Sequence, residues 1–303
     1  MAVKTVQTVI NGQTYTLTLN SSTGKYEATI TAPSKSSYNQ SGHYYPVKVT
    51  ATDESGNSTS KDASDSTLGS SLRLTVKEKV APVIAIVSPT AGSFFTNSKP
   101  TITWKVTDAD SGVNPATIGI TLDNGTKVTG DAITKTAITG GYQCTYTPAT
   151  ALSDGSHTIK LDASDYDGNA AATNSTTFKV DTVPPTLTLS SPADKLITNK
   201  SACTVKGTTN DVTSSPVKVT IKLNSGTAEP VTVGRDGSFT KDLTLANGTN
   251  TITVVATDSA GKSTTVTRTV TLDTGAPVIK SVTLTPNPVD CGKTFVISVE
   301  VTD

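Results

Sequence analysis

The residues best able to do chemistry in this chain are aspartates set in short polar turns. Asp53, Asp165 and Asp258 each sit in such a turn, within ATDESGN (51–57), ASDYDGN (163–169, which also holds Asp167) and ATDSAGK (256–262). Asp181 and Asp273 open the segments DTVPP and DTGAP; Asp108 and Asp110 lie in DADSG, Asp211 follows TTN, and Asp303 follows VEVT. Carboxylates are hard oxygen ligands, and calcium collects roughly six to eight such oxygens with tolerant geometry. The competing role is local, because an aspartate in a turn also satisfies backbone amides. The two histidines, His43 and His157, each fall just ahead of an extended segment and shortly after a glycine, at the place that Asn250 holds in the third repeat. Recurrence at one spot points to a turn role, whereas a nucleophile, base and orienter need an unrelated geometry. No phosphate-cradling glycine loop and no Cys/His zinc spacing is present, so the chain reads as non-enzymatic.

The elements that must carry these residues are strands. Threonine, serine and β-branched residues dominate, and no window keeps a 3.6-residue apolar period. Lys+Arg and Asp+Glu both number 25, which gives no field to steer the chain to nucleic acid or an anionic membrane. No apolar run approaches the roughly 18 residues of a membrane span, and the first residues hold no signal-peptide core. Cys144, Cys203 and Cys291 fall in three different repeats, so no repeat closes its own disulfide and the thiols read as free and mostly buried.

One phrase returns three times: VKVTATDESGNST (47–59), IKLDASDYDGNAA (159–171) and ITVVATDSAGKST (252–264). Period-2 alternation on both sides of a tight turn is a hairpin, here the last one (strands F and G) of a sandwich. After each hairpin comes a stiff proline junction, with Pro82, then Pro184 and Pro185, then Pro277. The spacing fits immunoglobulin-like domains of about 100 residues. The expected architecture is all-β: tandem immunoglobulin-like β-sandwiches in an elongated rod. Residues 81–181 and 182–273 supply every strand from A to G. Residues 1–80 begin at strand C and lack A and B, while residues 274–303 match only A and B of a further module.

Two strands cannot bury an apolar face alone, and a module without A and B leaves an open edge and an uncovered core. With strands of about seven residues, two intervening sandwiches would hold the fragments roughly 80 Å apart unless the rod bends back. Complementation between chains is therefore expected, the tail of one supplying A and B to the next. Such a head-to-tail contact builds a filament or a ring, with an identical or a related Ig-like chain as partner. The same pattern would arise if both ends were cut in one loop.

The turns ATDxxGN, the DTxxP linkers, DADSGVNPATI (108–118) and LSDGSHTIKLDASD (152–165) resemble the Ig-like modules of large bacterial adhesins and tailed-phage proteins. The resemblance covers nearly the whole chain and implies a structural or adhesive role, as a phage virion (tail) or surface-appendage component on a virion or extracellular surface. The alternative is a monomeric spacer that binds a cell-surface glycan or protein. In this fold the B–C turn, the F–G turn and the incoming linker share one pole. That would gather Asp181, Asp211 and Asp258; Glu78, Asp108, Asp110, Asp165 and Asp167; and Asp273 and Asp303 with Asp53 of a partner chain. In related adhesin modules such junctions hold calcium, and the resemblance implies the same here. Tyr38 and Tyr44 flank the SKSSYNQSGHYYP loop, where exposed rings beside polar groups suit sugar stacking. By parity, Tyr45 and Trp104 belong to cores.

Overall fold

The computed structural model describes residues 2–303, with 52% of the chain in strands and 4% in helical turns, an all-β fold. It divides into two compact units, one ending at Val180 and the other spanning Asp181–Asp303.

The first unit opens with a module of one sheet only. Strands β1 (Val3–Ile10), β2 (Gln13–Asn20), β3 (Lys25–Glu27), β4 (Tyr45–Asp53), β5 (Ser58–Lys61) and β6 (Arg73–Leu74) join in the order β3-β2-β1-β4-β5, with β6 on β4. The second module has β7 (Val83–Ser88), β8 (Phe94–Phe95), β9 (Ile102–Thr107), β10 (Val113–Leu122), β11 (Thr134–Ile138), β12 (Gly141–Tyr146), β13 (Gly155–Asp165) and β14 (Asn174–Val180). These form two sheets, β10-β13-β14-β8 and β11-β12-β9-β7. Alternation places Ile102, Trp104 and Val106 of β9 opposite Ile159, Leu161 and Ala163 of β13 in one core, all buried. Each large side chain so buried stabilises the module by about 1.5–3 kcal/mol before entropy is counted.

The second unit contains β15 (Thr186–Ser191), β16 (Leu196–Thr198), β17 (Ala202–Asn210), β18 (Lys218–Leu223), β19 (Glu229–Val231), β20 (Ser238–Thr244), β21 (Gly248–Thr257) and β22 (Ser263–Leu272). Sheets β15-β17-β20 and β16-β22-β21-β18-β19 enclose Val205, Ile221, Ile252, Val254, Val270 and their neighbours. It also holds a separate two-stranded sheet, β23 (Val278–Thr285) with β24 (Val296–Thr302), in which every residue is exposed.

Three features differ from the sequence-based expectations. Strands β8 and β16 pair in parallel with β14 and β22, carrying part of the A segment across to the opposite sheet. Pairings of two or three residues leave no periodic trace. Strand β3 stops at Glu27 although the alternating pattern runs on through KYEATIT, and residues 28–33 join no sheet. The third difference concerns the histidines. Register pairs Ile10 with Val47, Leu122 with Ile159 and Leu223 with Ile252, so two residues earlier the equivalents are Tyr45, His157 and Asn250. All three are buried, whereas His43 is exposed and outside this set. Each anchors the corner before strand F: Tyr45 Oη donates to the Lys35 carbonyl (3.2 Å), Asn250 Nδ2 donates to the Ala246 carbonyl (2.6 Å), and His157 Nε2 lies 2.8 Å from the Ser153 carbonyl. Different donors do one job.

Candidate metal centre

The three F–G turns share one geometry. A backbone pair links Asp53 to Asn57, Asp165 to Asn169 and Asp258 to Lys262. The amide of the later residue also donates to the aspartate Oδ1, at 2.9, 2.8 and 2.9 Å respectively. Gly56, Gly168 and Gly261 make the turn at φ values of 89, 95 and 89°, a region that strains other residues. The turns differ at their last position. Asn57 and Asn169 each donate a side-chain amide to the second oxygen, Oδ2, at 2.9 and 2.6 Å. Lys262 cannot, and Oδ2 of Asp258 is buried without any hydrogen-bond partner.

That unpartnered oxygen belongs to a group. Asp181, where the chain leaves β14, Asp211 after β17 and Asp258 after β21 are all buried, and one carboxylate oxygen of each lies within 4.8 Å of the others. Asp211 Oδ1 accepts from the amides of Thr213 (2.8 Å) and Ser214 (2.6 Å), and Ser214 Oγ, with one proton to give, donates to Asp181 Oδ2 and lies 3.1 Å from Asp211 Oδ1. Asp181 Oδ1 accepts from the Val183 amide at 3.2 Å. No ion pair among the described residues involves any of the three. Two like charges 4.8 Å apart repel by about 3–4 kcal/mol at an effective dielectric of about 20, and burial adds to this. A divalent cation offsets both terms. The donors are all oxygen, with neither imidazole nor thiolate, which suits a hard ion such as calcium rather than zinc. A buried carboxylate oxygen with no donor, beside two further carboxylates, has the chemistry of a hard-cation ligand, so the residues fit the group.

In the first unit Glu78, Asp108 and Asp165 likewise bring one carboxylate oxygen each within 4.8 Å of the others. Here the oxygens are better supplied. Glu78 accepts from Ser111 Oγ (3.0 Å) and the Val80 amide (2.8 Å), and Asp108 Oδ1 from the amides of Asp110 (3.0 Å) and Gly112 (2.7 Å). Burial pushes the Asp165 carboxyl up, but hydrogen bonds from Asn169 and the Gly168 amide outweigh it and hold the group below the usual range. Asp110 and Asp167 serve the junction differently: Asp110 accepts from the Ser36 amide (3.1 Å) and Asp167 from that of Glu78 (3.0 Å). Asp273 caps the Gly275 amide at 2.9 Å, and Asp303 is exposed. Neither joins a metal-sized group among the described residues, nor does Asp53.

Residues 82–161 match the family described as bacterial Ig domain, and residues 185–274 match glucodextranase domain B. The chain carries bacterial Ig-like modules. A curated relative, Bacillopeptidase F of Bacillus subtilis (strain 168), is 34% identical over 199 residues, covering 66% of this chain. The chain corresponds to only 12% of that protein's length. Among solved structures, the fibronectin(III)-like modules of Clostridium thermocellum CbhA align at 18% identity and a TM-score of 0.37, over 63% of this chain and 94% of theirs. The immunoglobulin domains 1–4 of Sidekick-1 align at 10% identity and a TM-score of 0.37, over 89% and 68% respectively.

The tyrosines at the first Ig-like module are engaged within the unit. Tyr38 is sandwiched between His43 (ring centroids 4.3 Å apart) and Tyr166 of the next module (4.0 Å), both nearly parallel to it. Neither face of its ring is left for a sugar. Tyr44 lies under the Arg73 guanidinium, 4.9 Å from the ring centroid, beside a groove lined by Gln40, Lys48 and Asp62. The two ring nitrogens of His157 meet Asp123 Oδ2 (2.6 Å) and the Ser153 carbonyl (2.8 Å), so no nitrogen remains to activate a nucleophile.

Proposed function

We propose that this chain is a non-catalytic structural and adhesive component of a virion tail or an extracellular surface appendage, whose Ig-like modules associate head to tail. Calcium at the Asp181, Asp211 and Asp258 group stiffens the module that carries it. One comparison supports the association above all others. In the complete modules the inward residues of strand F, Ile159, Leu161 and Ala163 or Ile252, Val254 and Ala256, are buried. Their equivalents in the first module, Val47, Val49 and Ala51, are only half-buried. In the tail, Ile297, Val299 and Val301 match Ile102, Trp104 and Val106, which are fully buried, yet are 58, 50 and 52% exposed. Both faces are apolar and accessible in this structure.

A monomeric spacer or glycan-binding module is the second reading, favoured by the similarity to a short stretch of a much longer protein, Bacillopeptidase F. Light scattering on the pure chain and on a variant lacking residues 274–303 separates the two. Head-to-tail association predicts species of several chain masses that collapse to monomer when the tail is removed. Monomer in both samples supports the spacer and sinks the association.

A further inference from the structure

We infer that a groove on the first module is a binding site for an acidic sugar, whose carboxylate is held by Arg73 and Lys48. This deepens the adhesive part of the proposed function by naming the chemistry of what is held, and it stands whether or not chains associate head to tail.

Two internal segments that the complete modules lack build the groove. Tyr45, His157 and Asn250 occupy one position, and their partners on the next strand are Leu74, Phe178 and Val270. From the F–G aspartate to that partner the chain takes 21 residues between Asp53 and Leu74, but 13 between Asp165 and Phe178 and 12 between Asp258 and Val270. The extra length lies in residues 62–72, between β5 and β6, and closes on itself. Asp65 Oδ1 accepts from the amides of Thr67 (3.0 Å) and Leu68 (2.9 Å), the Gly69 amide donates to the Asp65 carbonyl (3.0 Å), and Ala63 is buried. A loop this compact is formed before any ligand arrives. The second segment holds two short helical turns, Ser37–Asn39 and Ser41–His43. No helical turn lies between β12 and β13 or between β20 and β21.

Between these segments is a groove of about 740 Å³, a size that suits a small ligand. Its floor includes Val9 of β1 and Lys48 of β4, which pair with each other on the face opposite to Thr8 and Val49. The groove is therefore distinct from the accessible apolar face of this sheet. Its charges are uneven. Asp62 turns Oδ1 to its own loop, accepting from the amide (2.9 Å) and Oγ (2.6 Å) of Ser64. The side-chain cations of Lys48 and Arg73 have no ion pair and no hydrogen-bond partner among the described residues. Two cations against one engaged carboxylate leave the groove positive.

Arg73 is also oriented. Its guanidinium lies over the Tyr44 ring, 4.9 Å from the centroid. That ring packs against Gly42, where an added Cβ would come within 2.7 Å of Cε1. Stacking fixes the plane of the guanidinium while leaving its N–H donors unused, and that fork matches a carboxylate with two parallel bonds. Tyr44 thus positions the cation instead of stacking on the sugar itself. Asn11 and Gln40 place further amide groups on the groove wall, suited to hydroxyls. A sugar acid combines both needs.

Calorimetric titration of the full chain with glucuronic, galacturonic and N-acetylneuraminic acids, their methyl esters and inorganic phosphate tests the site. At least one acid should bind saturably, and its ester, the same sugar without the charge, about 10- to 100-fold more weakly. Arg73→Gln should weaken binding of that acid by a similar factor, and Lys48→Gln by less. Arg73→Lys should recover only part of the loss, because an ammonium cannot form the paired bonds. All three variants should keep the wild-type melting temperature, since both side chains are exposed. No binding of any acid, equal binding of acid and ester, or unchanged affinity in Arg73→Gln overturns the site. Phosphate bound as tightly as the acid overturns the sugar as its occupant. None of these outcomes alters the light scattering of the pure chain, so failure of this site is distinguishable from failure of the head-to-tail reading.

Discussion

Replacing Asp258 with asparagine is expected to raise the melting temperature of residues 181–303 in chelator-treated protein and to abolish their response to calcium. The two effects have opposite signs and one cause. Without an ion, three buried carboxylates crowd within 4.8 Å, and Oδ2 of Asp258 has no donor. Asparagine removes one charge and places an amide where it can donate to Asp181 or Asp211. Relief of about 1–2 kcal/mol raises the midpoint of a domain this size by roughly 3–10 °C. With calcium at about 100 times its dissociation constant, the wild type gains about 2.7 kcal/mol, and the variant, short of one ligand charge, does not. Calorimetry with and without chelator measures both. A wild type indifferent to calcium, or a variant that melts lower in chelator, would remove the ion from the account.

Replacing Trp104 with alanine is expected to cost the second module about 3–5 kcal/mol, a large part of the roughly 5–15 kcal/mol that holds a domain folded. Trp104 is fully buried between the sheets, among Ile102, Val106, Ile118 and Phe178. Its removal leaves a cavity that the sheet pairings on either side of β9 prevent from closing. The melting transition of the unit ending at Val180 should drop by tens of degrees while that of Asp181–Asp303 keeps its midpoint. Trp104 is also the single tryptophan, so in wild type its emission follows this unit alone. Equal drops in both transitions would contradict the modular reading.

Period-2 alternation and turn chemistry make most of this fold legible in the sequence. Strands B, F and G of the two complete modules, Trp104 and Tyr45 in cores, and acidic residues gathering at a module pole all follow from those signals. What escaped has tertiary causes. The short parallel pairings of β8 and β16 depend on which sheet a crossing segment reaches. The stack of Tyr38 on Tyr166 joins residues far apart in sequence that no local pattern connects. The shared role of Tyr45, His157 and Asn250 was hidden by similarity between two histidines that occupy different registers. The orphaned oxygen of Asp258 did leave a trace. Its turn ends in Lys262, where the other two end in Asn57 and Asn169, and that one change withholds the amide that satisfies the second oxygen elsewhere.

The accessible apolar faces of β24 and the first module carry the central claim, and amide hydrogen exchange reads both at once. Across a dilution series of the full chain, the amides of residues 296–302 and of β4 should gain protection together as concentration rises. They should lose that protection together on dilution. Exchange that stays the same at both segments at every concentration, with the complete modules protected throughout, would contradict it.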